Sequence, residues 1–291
     1  MPLNSRVVGE STRDFTHSVD AGWLTGYAAG IGDNNPCYME TKQGSVLAHP
    51  IFPVCLEWPV ILNSRQLPGY DTLSPQESAR IVHAAHDLHL YRPIAAGESY
   101  STQAQVVSLE AIRPGAAVVT RLDTRNSLDE LVCQTWHTGI GRGVAIEGES
   151  GAIETPPALP DLAGAKPQER TFQIPVVEGL SNTYTETARI FSAIHTDPEY
   201  AKAAGLPDII LHGTATLALG VTALVNALAD GNPARVERIG GRFSGIVLMP
   251  NDLTLEVTSR ADSTYGFRMS ERGGAEVFSA GYITFKPEPL A

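Results

Sequence analysis

The stretch "IHTDPEYAKAAGLPDIILHGTATL", residues 194–217, joins two helix beginnings, and a histidine precedes each of them. His195 comes two residues before an Asp-Pro pair, which is a typical helix start because Asp caps the first turn and Pro suits the first helical position. His212 precedes Gly213 and the apolar run 214–229. That run is short for a membrane span. It therefore predicts a helix that is buried on all sides.

The composition bounds the class of protein and its partners. The chain has 291 residues, which suggests one or two domains, and its 43% hydrophobic and 18% charged content is typical of a globular protein. The formal net charge of −11 repels nucleic acid and anionic membranes, so we predict neither as a partner. The cysteines (Cys37, Cys55 and Cys133) have no metal-binding or redox spacing. With no apolar segment typical of a signal peptide at the N-terminus, they predict a reducing, cytoplasmic compartment.

The chain divides into two similar halves. The stretch 143–170 is rich in Gly, Pro, Ala and Glu and has no periodicity, which predicts a linker. The halves contain comparable stretches, "YAAGIGDNNPCYMET" from Tyr27 and "YTETARIFSAIHTDP" from Tyr184. We therefore predict an N-terminal domain, a linker and a C-terminal domain, at residues 1–148, 149–169 and 170–291.

Aligning the tyrosines that open these stretches shows how the halves differ. Tyr38 of the first half falls on His195 of the second, and Asp33 falls on Ile190. The first half therefore has an acid where the second has an apolar residue, and a tyrosine where the second has a histidine.

Each half continues with an apolar helix candidate that a histidine opens, at 48–62 and at 211–225. Strand-like runs bounded by turn residues follow each helix; they lie at 79–94, 98–112, 116–126 and 130–144, and at 236–249, 252–261, 265–272 and 275–287. This order predicts an α+β unit in which a curved antiparallel sheet wraps around one long helix. A single unit would leave sheet edges open, so two units are expected to join.

These motifs resemble the MaoC-like acyl dehydratases and (R)-specific enoyl-CoA hydratases in their double-hotdog form. The family pattern is roughly Gly-Asp-x-Asn-Pro-x-His, then Asp-Pro-x-x-Ala, then a His-Gly that opens the central helix. The stretch "GDNNPCY" (32–38) has the first part but ends in Tyr38. The second half matches the later part closely, at His195, Asp197, Pro198, Ala201, His212 and Gly213.

The resemblance implies hydration of a 2-enoyl thioester, or the reverse dehydration of a 3-hydroxyacyl thioester. His195 would be the general acid/base, since its pKa near 6.5 suits proton transfer at neutral pH. A loop histidine that only bonds a backbone carbonyl is the alternative. Gly213 would donate its N–H to the thioester oxygen, because it opens a helix and has no side chain to obstruct the substrate. A glycine required only for packing is the alternative.

The second half departs from the family where the acid should stand. The family has Asp five residues before the catalytic His and Asn three before it, whereas this chain has Ile190 and Ser192. Either another carboxylate replaces that Asp, or His195 works alone, or classical hydration is lost. Asp197 is the nearest acid and is included as a catalytic candidate, although Asp-Pro is also a helix cap. Glu186 and Asp208 are weaker candidates.

The remaining site residues are expected to bind substrate: Ser192, His212, Arg242, Asp33 and Tyr38. The first half would shape the acyl pocket. The cluster Arg235, Arg238 and Arg242 could meet a CoA phosphate, although a solvated, salt-paired edge strand is the more common explanation of such a cluster. The expected partners are an acyl thioester of CoA or a carrier protein, and a second copy of the chain in a homodimer. The alternatives to a hydratase are a thioesterase, a tailoring enzyme of specialised metabolism, and an acyl-binding subunit without turnover.

Two other motifs predict structure and not chemistry. "HAAHDLH" (83–89) would place three histidines on one helix face, but its flanks favour a strand, on which His86 points away from the others. We therefore predict no metal site there. "GIGRG" (139–143) does not complete a dinucleotide-binding motif, and no cofactor is predicted.

Overall fold

The computed structural model describes residues 2–41, 44–78 and 80–287. The α-helices are α1 (Ala21–Gly30), α2 (Pro36–Met39), α3 (Pro53–Ser64), α4 (Pro75–Ser78), α5 (Leu180–Ala188), α6 (Pro198–Ala203) and α7 (Gly213–Leu228). Short 3-10 helices lie at Ser5–Val7, Ala193–His195 and Pro233–Arg235. Within the described ranges no helix is long and apolar enough to cross a membrane.

The strands are β1 (Leu3–Asn4), β2 (Phe15–Val19), β3 (Ile81–Leu90), β4 (Glu98–Ile112), β5 (Gly115–Asn126), β6 (Leu131–Arg142), β7 (Ile146–Glu147), β8 (Gly151–Ala152), β9 (Lys166–Val176), β10 (Val236–Phe243), β11 (Asn251–Ala261), β12 (Thr264–Ser270) and β13 (Glu276–Phe285). Every predicted strand segment overlaps one of these strands, and the bounds differ by only a few residues except at the end of the segment 236–249. "HAAHDLH" lies in β3, as its flanks predict. The α+β class is confirmed.

The first compact unit comprises residues 1–17, 56–89 and 99–159. Its strands follow the order β2–β4–β5–β6–β3, with β8 paired to β4. Buried and partly buried residues alternate along β5, because successive side chains of a strand point to opposite faces of the sheet. The buried side chains of β4 and β5 pack against α3, where Val60 contacts Ala104 and Leu122.

The start of α3 differs from the sequence prediction. The helix begins at Pro53 and not at His49. In place of a first helical turn, the Ile51 N–H donates to Nδ1 of His49 at 3.1 Å and the Phe52 N–H donates to the His49 carbonyl at 2.8 Å. The His49 side chain thus satisfies a backbone donor that a helix would leave unpaired at its end.

The second compact unit comprises residues 18–55, 90–98 and 160–291. Its strands follow the order β10–β13–β12–β11–β9, and neighbouring strands are antiparallel. The central helix α7 lies so close to this sheet that a Cβ on Gly220 would come within 2.8 Å of Met269 Sδ and 3.1 Å of Leu255 Cδ1. Only glycine fits that position without a shift of its neighbours.

Helices α1 and α5, which carry the two aligned tyrosines, contact each other within this second unit. The Trp23 Nε1–H donates to the Thr187 carbonyl at 3.1 Å, and the hydroxyls of Tyr27 and Tyr184 lie 3.4 Å apart. The loops that follow the two tyrosines therefore belong to one compact unit, although they come from different halves of the chain.

Candidate active site

His195 ends the short 3-10 helix between α5 and α6, and its side chain is only partly exposed. Its Nδ1 lies 2.8 Å from the Ile210 carbonyl oxygen. A carbonyl oxygen can only accept a hydrogen bond, so Nδ1 carries the proton and the lone pair is on Nε2. Within the described ranges Nε2 has no hydrogen-bond partner. The lone pair on Nε2 of His195 is therefore available to accept a proton.

Burial sets the protonation of His195. Loss of hydration lowers its pKa below the ordinary 6.5, although the bond to the Ile210 carbonyl acts in the opposite direction. The ring is consequently neutral at neutral pH, which is the state a general base needs before it accepts a proton.

The His212 ring is stacked on the His195 ring, with centroids 3.7 Å apart and planes at 23°. His212 is 2% exposed, and its Nδ1 lies 3.3 Å from Ser181 Oγ. Its Nε2 lies 3.3 Å from both the Thr185 hydroxyl and the Ile190 carbonyl. Burial, and then the proximity of His195, lower the pKa of His212 to about 2. His212 therefore remains neutral and supports one face of the His195 ring.

Gly213 follows His212 directly and is the exposed first residue of α7. The first N–H groups of a helix have no partner within the helix, and they lie at the positive end of its dipole. A Cβ at this position would come within 2.9 Å of Phe243 Cδ1. The glycine thus leaves an accessible N–H beside the stacked histidines, in the arrangement that stabilises a developing oxyanion.

No carboxylate bonds to His195 within the described ranges. The side chain of Asp197 accepts from the N–H groups of Glu199 at 2.9 Å and Tyr200 at 3.2 Å, so it caps α6. Ile190 occupies the family's Asp position and is buried, 5% exposed. The structure therefore brings His195, His212 and Gly213 together and leaves Asp197 as a helix cap.

The other sequence candidates lie at the margin of this cluster. Ser192 accepts the His195 N–H at its carbonyl, at 3.0 Å, and its hydroxyl does not cap the 3-10 helix. Glu186 and Asp208 are exposed. Arg242 is exposed on β10 beside Phe243, and strand alternation directs it to the face opposite the ring that contacts Gly213. The structure does not bring Arg242 to the histidines.

Large apolar side chains are exposed next to the histidines. Phe191 is 57% exposed and directly follows Ile190. Leu248 is 37% exposed and pairs with Ile210, whose carbonyl holds His195. Ile246 is 46% exposed on the same segment. Exposed apolar side chains beside a candidate site can offer a binding surface.

The first-half loop, which contains Asp33 and Tyr38 and ends at His49 and Pro50 before α3, has a different environment from the His195 cluster. Asp33 is 3% exposed, accepts from the Asn35 N–H at 3.1 Å, and bonds to the side chains of Thr222 and Asn226 on α7. Burial raises the pKa of Asp33 despite these bonds. The Asn35 side chain donates to the Gly231 carbonyl at 2.6 Å. These contacts tie the loop to the end of α7, beside an open cavity of about 480 Å³.

The other two groups of the first-half loop are unsuited to acid–base work. Tyr38 is 1% exposed, and its hydroxyl has no hydrogen-bond partner in the part of the chain that the structure describes. Burial, then the charge of Asp33, raise the pKa of Tyr38 well above 10. His49 Nε2 lies 3.2 Å from the Thr222 hydroxyl, and burial lowers the pKa of His49 to about 3. Pro50 follows His49 where Gly213 follows His212, and it has no N–H to donate.

Asp33 cannot serve as the missing partner of His195. Its bond to Thr222 places it about 14 Å along α7 from Gly213, at about 1.5 Å per residue. The two loops therefore contact different parts of the same helix.

The second-half site also uses groups that sequence reasoning missed. The Ile210 carbonyl is a backbone group, for which side-chain patterns give no signal. Ser181 and Thr185, which contact His212, are four residues apart on α5 and so share one helix face. That spacing in "LSNTYTET" (180–187) is a signal that could have identified them.

The histidines of β3 form a separate cluster in the first unit. The rings of His83 and His137 lie 4.1 Å apart and those of His83 and His86 lie 5.3 Å apart. Over the described ranges no group of three His, Cys, Asp or Glu side chains is placed to hold a metal ion.

Family models match both halves of the chain. The model described as "MaoC like domain" matches residues 164–276. The model described as "FAS1-like, dehydratase domain region" matches residues 6–135. The match to the MaoC-like domain contains His195, His212 and Gly213. The match to the FAS1-like dehydratase region contains the first-half loop.

Curated proteins similar to this chain include enzymes. The peroxisomal enoyl-CoA hydratase 2 of Arabidopsis thaliana is 25% identical over 259 residues, which are 86% of this chain and 81% of that protein. The peroxisomal multifunctional enzyme type 2 of Drosophila melanogaster is 26% identical over 77% of this chain, and the match spans only 37% of that longer protein.

Solved structures share the fold over nearly the whole chain. A MaoC-like dehydratase from Phytophthora capsici has a TM-score of 0.81 at 20% identity, with 97% of each chain covered. A conserved hypothetical protein of Mycobacterium tuberculosis described as a double hotdog fold has a TM-score of 0.59 at 16% identity, over 96% of this chain and 95% of the other. The double-hotdog prediction is confirmed.

Proposed function

Because the chain belongs to the MaoC-like dehydratase family, we propose that it hydrates 2-enoyl thioesters, or dehydrates 3-hydroxyacyl thioesters, at the cluster of His195, His212 and Gly213. The observation that carries this proposal is the geometry of His195. Its Nδ1–H is fixed by the Ile210 carbonyl at 2.8 Å, its ring is supported by His212 at 3.7 Å, and its Nε2 is free beside the N-terminus of α7.

One histidine is sufficient for the proton transfers of this reaction. Nε2 of His195 accepts a proton from water as the oxygen adds to Cβ of the enoyl group. The Gly213 N–H stabilises the negative charge that develops on the thioester oxygen. The imidazolium then delivers its proton to Cα. Since Cα and Cβ are adjacent, a single nitrogen serves both carbons on one face of the double bond, and the addition is syn.

The surroundings support an acyl substrate. The exposed side chains of Phe191, Ile246 and Leu248 offer apolar area to an acyl chain next to the histidine. CoA is proposed as the carrier because the chain is similar to enoyl-CoA hydratases. We further propose that the first-half loop shapes the acyl pocket and that a linker at 149–169 separates the two hotdog domains. The protein is also proposed to work in the cytoplasm and to form a homodimer.

The pH dependence of hydration tests the role of His195. Crotonyl-CoA hydration is followed by the loss of absorbance of the conjugated double bond. Because the neutral ring is the active form, kcat/KM should rise with pH and then level off. Its inflection should lie below 6.5, since burial lowers the pKa of His195.

Two outcomes would contradict the proposal. A chain that hydrates no short, medium or long enoyl-CoA is not a hydratase. If hydration in D2O gives the anti product, a second proton-transfer group must act with His195, and the one-histidine mechanism is wrong.

A further inference from the structure

The cluster of His195 and Gly213 has a proposed base and a proposed oxyanion donor, but no carboxylate is hydrogen-bonded to that base in the part of the chain that the structure describes. Within the described ranges, neither Asp197 nor any other carboxylate bonds to His195. At the family's acid position stands Ile190, whose side chain can neither accept nor donate a hydrogen bond. Its carbonyl is already used by His212.

Hydration and hydrolysis differ in where water attacks. In hydration the water oxygen must reach Cβ, two bonds away from the thioester carbonyl carbon. In hydrolysis it attacks the carbonyl carbon itself, next to the oxygen that Gly213 would bind. A carboxylate opposite the histidine would restrict the water to Cβ, and among the described residues none is hydrogen-bonded to His195.

We infer that the His195–Gly213 cluster also hydrolyses acyl thioesters, including saturated ones that cannot be hydrated. This activity goes beyond the proposed hydratase function and uses the same site.

The hydrolytic step balances with one histidine. Nε2 of His195 removes a proton from water, and the oxygen forms a bond to the carbonyl carbon. The Gly213 N–H holds the negative charge of the tetrahedral intermediate. When the intermediate collapses, the C–S bond breaks and the imidazolium returns its proton to the thiolate. The products are a free acid and a thiol, and no further reactant is needed.

The direct test uses butyryl-CoA, which has no double bond. Thiol release from the wild-type chain is followed with a chromogenic thiol reagent. We expect release above the buffer rate, and a loss of about a hundredfold or more in His195→Ala, as for removal of a general base. Release that is absent, or that is the same in His195→Ala, would overturn the inference.

The second test restores the missing acid. Ile190→Asp supplies a carboxylate, and Ile190→Asn is the matched control of similar size without the charge. With crotonyl-CoA, the ratio of hydration to thiol release should rise at least about tenfold in Ile190→Asp, since a general acid–base group contributes about a hundredfold or more. It should remain near the wild-type value in Ile190→Asn. An unchanged ratio in a folded Ile190→Asp variant would overturn the argument about water placement.

The two proposals fail separately. Crotonyl-CoA hydration without His195-dependent thiol release overturns the hydrolysis inference alone. Thiol release from butyryl-CoA without crotonyl-CoA hydration overturns the hydratase proposal alone. If Ile190→Asp does not fold because a buried carboxylate costs too much, the wild-type and His195→Ala rates with butyryl-CoA still decide the inference.

Discussion

The corresponding loops of the two halves have their motif residues in the same order, and each lacks residues of the family pattern that the other has. The first-half loop has the acid, Asp33, but Tyr38 stands at the histidine position and Pro50 at the glycine position. The second-half loop has His195 and Gly213, but Ile190 stands at the acid position. Neither loop has the complete set that the family pattern describes.

The surroundings of the two loops differ as much as their residues. Asp33 bonds to Asn35 and to side chains of α7, and it is 3% exposed. Gly213 is exposed, and Nε2 of His195 has no partner in the part of the chain that the structure describes. A reactive group must be accessible to its substrate, whereas a buried and fully bonded group stabilises the fold. The comparison therefore supports the proposal that the second loop carries the chemistry and that the first has a structural role.

The largest expected effect separates the two loops directly. His195→Ala should lower kcat for crotonyl-CoA hydration about a hundredfold or more, because it removes the only proposed proton-transfer group. Asp33→Asn should leave kcat within about twofold, since it is one conservative change at a site about 14 Å along α7 from Gly213. Steady-state kinetics of both variants would measure this, and the reverse ranking would assign the chemistry to the first loop.

The second prediction places proline, the residue of the first-half loop at position 50, at the corresponding position 213 of the second half. Gly213→Pro removes the N–H, and proline suits the first position of a helix. The preceding His212 has φ −59° and ψ 136°, which a residue before proline adopts readily. Gly213→Ala is the matched control, because it also places a Cβ against Phe243 but keeps the N–H.

We expect Gly213→Pro to have a kcat about a hundredfold below that of Gly213→Ala, the usual cost of losing one oxyanion donor. Melting temperatures of the two variants would check that both fold. Equal kcat values would mean that Gly213 contributes packing and not a hydrogen bond.

The third prediction compares the central helices α3 and α7. Glu57 of α3 corresponds to Gly220 of α7 when His49 and His212 are aligned. Glu57 is 1% exposed and accepts from the Thr135 hydroxyl. Burial raises its pKa from 4.5 to about 7, so the folded state favours the protonated acid. Ionisation then destabilises the fold progressively between pH 4.5 and about 7, and fully above that range.

Glu57→Gln should therefore raise the free energy of unfolding above pH 7 by about 3 kcal/mol and leave it nearly unchanged below pH 4.5. Urea unfolding at several pH values would measure the difference. Glu110→Gln, on an exposed position of β4, makes the same substitution at the surface and is the control against which the Glu57→Gln curve is compared. A Glu57→Gln curve parallel to the wild type would contradict the raised pKa.

The smallest expected effect concerns Asp197. Because Asn caps helices about as well as Asp, Asp197→Asn should change neither kcat nor melting temperature appreciably. Asp197→Ala should lower stability by about 1 kcal/mol through loss of the α6 cap. A large fall in kcat in the Asn variant, with an unchanged melting temperature, would instead make Asp197 the substitute acid.

Much of the fold could be predicted from local patterns. Alternation along β5 and the apolar run of α7 record burial that each segment experiences along its whole length. The beginning of α3 could not be predicted, because it depends on a side-chain bond from His49 to the Ile51 N–H.

Part of the candidate site could likewise be predicted from the sequence, and part could not. The role proposed for His195 follows from its residue type, and that proposed for Gly213 also from its position at a helix start. The bond to the Ile210 carbonyl does not, because any residue offers a carbonyl and only the fold decides which one is near. The bonds from Asp33 to Thr222 and Asn226 join positions far apart in sequence, and no local pattern reports them.

The contact between Tyr27 and Tyr184 has a consequence for how such a protein changes over generations. A residue that touches its own counterpart is typical of a two-fold axis, and these two hydroxyls, at matching positions of the two motifs, lie 3.4 Å apart. In an assembly of identical chains every inherited substitution would appear on both sides of that axis. Here the two sides of the axis are different segments of one chain. One loop can therefore lose its catalytic residues while the other keeps them, and either loop can be mutated alone.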